Sequence, residues 1–92
     1  MNQQMELRDL ADTEVMMEEA RTREAWIEAS ATRVAARAAQ SVAQRGGGES
    51  GPAAQDLLAA TVAERAAREQ HRWLSDELAR RGLRPQRLAR AA

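Results

Sequence analysis

Gly46-Gly47-Gly48-Glu49-Ser50-Gly51-Pro52 divides the chain into two long stretches of helix-forming composition. Glycine supplies the backbone freedom that ends one helix, and proline is pre-set for the first turn of the next. The first helix is expected over residues 5–45, the Gly-rich turn over 46–51 and the second helix over 52–81. A connection this short returns the chain antiparallel to itself. The fold expected is therefore all-α: an antiparallel two-helix hairpin, coiled-coil-like, completed to a four-helix bundle by dimerisation or by a partner.

Composition supports that reading. Ala, Glu, Leu and Arg make up 53 of the 92 residues, as in long helices and coiled coils. Phe and Tyr are absent, which argues against a sheet. Leu, Ile, Val and Phe total only 13 residues, so one hairpin is short of core and needs a second surface to cover its apolar arc. No apolar run approaches the roughly 18 residues that cross a bilayer, and no basic-then-apolar leader opens the chain. A soluble, cytoplasmic protein is expected; leaderless secretion or incorporation into a virion is compatible with the same pattern. All fourteen basic residues are arginine, a bias that points to a GC-rich bacterial or phage genome.

Two seven-residue repeats run along the helices. The first contains Met17, Ala20, Ile27, Ala31, Val34 and Ala38, interrupted by Glu24; the second contains Leu57, Ala60, Ala67, His71, Leu74 and Leu78, interrupted by Glu64. Leu58, Val62, Ala66 and Trp73 widen the apolar arc of the second helix. With the turn centred near Glu49, Arg33 falls near Glu64, Arg21 and Arg23 near Glu77 and Asp76, and the two tryptophans at one level. Candidate interface residues are Trp26, Ile27, Val34, Leu57, Leu58, Val62, Trp73, Leu74 and Leu78. Gly82 is placed to close the second helix in a Schellman ending with Leu78 and Leu83 as its apolar pair, and Pro85 follows.

Charge is balanced overall, with fourteen acids against fourteen bases, but it is segregated. Acids crowd the first twenty residues, and Arg80, Arg81, Arg84, Arg87 and Arg90 follow the last acid. These arginines, in a tail that is either a basic arm or a short third helix over 82–92, are candidate contacts for phosphate or an acidic partner. Packing of the tail against the acidic N-terminal segment is the competing expectation.

Catalytic and metal chemistry find little support. There is one histidine and no cysteine, and His71 has no carboxylate or second histidine at ligand spacing along its own helix. The triple glycine lacks the Gly-Lys-Ser/Thr of a phosphate loop. No cofactor, metal or small-molecule substrate is expected. The expected function is a non-enzymatic protein–protein interaction or assembly module, structural or adaptor in kind, whose partner is a second copy or another protein. Two alternatives stand beside it: a small nucleic-acid-binding regulator using the arginine tail, and a secretion chaperone or secreted hairpin subunit.

Overall fold

The computed structural model describes residues 7–47 and 51–85. Two helices dominate it: α1, Asp12–Arg45, and α2, Gly51–Arg81. They pack along their length as an antiparallel hairpin, and no strand occurs among the described residues. The longest dimension, 53 Å, is close to that of a 34-residue helix at a rise of about 1.5 Å per residue.

Both chain reversals follow from glycine. Gly46 N–H donates to Val42 O, and Gly47 adopts φ 71°, ending α1 in the left-handed region that residues with a Cβ avoid. At the end of α2, Gly82 also has φ 71°; its N–H donates to Ala79 O and that of Leu83 to Leu78 O. These are the two bonds of a Schellman ending, and Leu83 packs beside Leu78 as the sequence predicts. Leu83–Pro85 is not helical, and the rest of the tail lies outside the described residues.

The start of α1 differs from expectation. Leu7 and Arg8 are helical, but the helix is interrupted at residues 9–11, where Ala11 is extended, and α1 starts afresh at Asp12; the expected start at Met5 lies outside the described residues. Upstream, Leu10 N–H donates to Leu7 O in a tight turn that carries Leu7 back onto the hairpin. There Leu7, Val15, Leu74 and Leu78 form the buried cluster, with Leu10, Met16, Trp73 and Leu83 against it. A continuous helix would carry Leu7 past Leu74 and Leu78, so burial of that side chain opposes helical continuation.

The larger correction concerns which side of α1 faces α2. On α2 the seam is the expected repeat, with Leu57, Ala60, Glu64, Ala67, His71, Leu74 and Leu78 all buried or half-buried. On α1 the corresponding seven-residue row is Val15, Glu19, Thr22, Trp26, Ala29, Arg33, Ala36, Gln40 and Ala43. Met17, Ile27, Ala31, Val34 and Ala38 are exposed instead; from the predicted row only Ala20 is buried. Rotation of α1 brings Glu19, Trp26 and Arg33 to the polar groups His71 and Glu64, which α2 already commits to the seam. Pairing those groups outweighs covering one isoleucine and one valine, because a buried polar group without a partner is costly.

Candidate interaction surface

The middle of the hairpin is held by polar contacts. Glu19 is 2% exposed, and its Oε2 lies 2.7 Å from Nε2 of His71. Arg23, one turn on, reaches the other oxygen at 3.3 Å. His71 stacks on Trp26 with ring centroids 5.4 Å apart. Two turns toward the loop, Arg33 and Glu64 form an ion pair at 2.9 Å, the pairing the sequence suggested. Within α1, Arg21 pairs with Glu18 and Arg23 with Glu19. Trp26 lies in the seam on His71, two residues from Trp73, which packs against the Leu74–Leu78 cluster.

At the open end, Arg81 ties three segments together. Its Nε donates to Glu77 at 2.6 Å, Nη1 to Asp12 at 2.9 Å, and Nη2 to the carbonyls of Leu7 and Arg8 at 2.9 and 3.3 Å. Arg80 also pairs with Glu77. The Arg80 guanidinium, followed by that of Arg81, holds the Glu77 carboxyl down to about 2 from 4.5, against the opposing effect of burial. Of the five candidate phosphate contacts, Arg81 is thus committed to the hairpin itself, Arg80 shares Glu77 while remaining half-exposed, and Arg84 is exposed. Arg87 and Arg90 lie outside the described residues.

The candidate interface residues fall into two groups. Leu74 and Leu78 are buried, and Trp26, Leu57 and Trp73 are half-buried between or beside the helices. Ile27, Val34, Leu58 and Val62, together with Met17, are 44–65% exposed. Ile27 and Val34 share with Ala31 and Ala38 an outward row on α1, about 150° around the helix from its hairpin seam at 100° per residue. Leu58 and Val62 occupy the outer side of α2. A separate groove of about 300 Å³ runs between Leu7, Leu10, Met17, Thr22, Trp73 and Leu74.

Sequence reasoning missed Glu19, Thr22 and the Leu7 turn. For Glu19 and Thr22 a signal was present: Val15, Thr22, Trp26, Ala29, Ala36 and Ala43 also follow seven-residue spacing, and only the larger apolar content of the neighbouring row concealed it. Among the described residues, no group of three His, Cys, Asp or Glu is arranged to hold a metal ion, and no helix is long and apolar enough to cross a membrane. No protein-family model, curated protein or solved structure matches the chain.

Proposed function

We propose that this chain is a non-enzymatic protein–protein association module, a helical hairpin that binds a second copy of itself to form a four-helix assembly. The observation that carries the reading is the inversion of α1: polar residues occupy its seam with α2, while Ile27 and Val34 stand in solvent. Domains enclose a core between two packed layers, and a hairpin 14 Å thick is a single layer of helices. Exposed aliphatic side chains on both helices are the kind of surface that marks association. The arginine-tail alternative draws less support, because Arg81 and Arg80 already have carboxylate partners within the hairpin.

Light scattering on a size-exclusion column, over a range of concentrations, tests this. The expected result is a mass of twice 10.1 kDa that persists on dilution. A helical monomer at every concentration would overturn self-association and turn the exposed rows into a surface for a different protein.

A further inference from the structure

We infer that the outer face of α2 carries a binding site for single-stranded nucleic acid, formed by Arg65, Arg68, Arg72 and Trp73. The inference goes beyond self-association and does not depend on it.

Pairing separates these arginines from others in the hairpin. Arg21, Arg23, Arg33, Arg80 and Arg81 each hold a carboxylate. Arg65, Arg68 and Arg72 are exposed and make no hydrogen bond or ion pair among the described residues. Arg68 acts on Glu64 only through space, and Arg33 already pairs with that carboxylate. At 100° per residue the three lie within about 60° of one another around α2 and span about 10 Å along it. Arg68 and Arg72, four residues apart, repel each other on the bare helix. A phosphate between their guanidinium groups turns that repulsion into charge-assisted hydrogen bonds, and the planar fork of arginine matches its oxygens.

The second feature is aromatic. The three arginines line a hollow of about 320 Å³ together with Trp73, Glu69 and Asp76. Trp73 also packs against the Leu74–Leu78 cluster, so its indole is held in place at the edge of the hollow. Guanidinium groups beside a fixed aromatic side chain are what a sequence-tolerant single-strand site needs, with phosphates on the cations and a base on the ring. A duplex keeps its bases stacked on one another and offers the ring no face. Three arginines against two carboxylates leave the hollow a net charge of +1, so a strand is held by local contacts rather than drawn in from a distance.

Anisotropy of a fluorescein-labelled oligothymidylate of about 15 nucleotides, titrated with the full chain at several salt concentrations, tests this. The expected result is binding that weakens with salt at a log–log slope of about −2, from three phosphates at about 0.7 each. R68Q/R72Q is expected to bind at least about tenfold more weakly, and R65Q to make the slope shallower by about 0.7. R37Q, at an exposed position on α1, should bind as the wild type does. None of these changes removes a contact within the hairpin, so circular dichroism should stay the same. An abasic oligomer of equal length should bind several-fold more weakly, having no base for Trp73. Absence of binding at low salt, or equal binding by R68Q/R72Q, overturns the inference. Equal binding of the abasic oligomer overturns it too, and displacement of the oligothymidylate by polyglutamate at equal charge reassigns the face to an acidic protein.

Discussion

His71 on α2 and Glu19 on α1 meet at 2.7 Å across 52 residues of sequence, and the Glu19 side chain is almost wholly buried there. Removing the imidazole leaves a buried carboxylate with Arg23 beside it and strips Trp26 of its stacking partner. H71A is expected to destabilise the hairpin by about 1–3 kcal/mol in urea unfolding followed by circular dichroism. A cycle with E19Q should show coupling of at least about 0.5 kcal/mol; strict additivity would mean that the contact contributes nothing.

Core and outer positions separate by burial. Leu78 is 1% exposed, so L78A should cost about 2–5 kcal/mol, enough to abolish cooperative unfolding in so small a domain. V62A, at a position 60% exposed, should stay within about 0.5 kcal/mol of wild type.

Acid should weaken the open end through Glu77. Its carboxyl is lowered in the fold, so its contribution is complete above the ordinary value of 4.5 and fades as pH falls toward about 2. The urea midpoint of the wild type should drop over that window. E77Q should start lower at neutral pH and show a shallower decline; an unchanged slope would show that other carboxylates carry the acid sensitivity.

Arg81 fixes the segment before α1. R81A removes donors to two carbonyls and to Asp12, so backbone amides of residues 7–12 should lose protection in hydrogen exchange. The same substitution at Arg80, which touches only Glu77 among these groups, should leave that segment protected.

Glycines at the two ends of α2 should respond in opposite senses. Gly82 has φ 71° with open space where a Cβ would stand, so G82A meets backbone strain alone and should cost about 1 kcal/mol. Gly51 lacks the positive φ and is equally unobstructed, so G51A should be neutral or stabilising by up to about 1 kcal/mol. Thermal melts followed by circular dichroism give both signs.

Much of the fold was legible because it is written in local chemistry. The glycine run, the Pro52 start, the Gly82 stop and the repeat from Leu57 to Leu78 each act within a few residues of themselves. Arg33 and Glu64 were legible because the turn sets the facing positions. What escaped was the rotation of α1. A hydropathy pattern ranks Ile27 and Val34 above Glu19 and Arg33, whereas the fold satisfies polar groups that become neighbours only after the helices meet. Leu7 escaped for a related reason: nothing between Leu7 and Ala11 breaks a helix, and only the cluster at the far end of α2 draws the segment back.

The polar seam has one more consequence. Alanine surfaces are smooth, and two such helices could slide past each other by a heptad, about 10 Å, with little change in apolar contact. Here a slide would leave Glu19 without His71 and Arg33 without Glu64. Those pairs act as the teeth of a ratchet: modest as sources of stability, they make every misaligned hairpin worse than the aligned one.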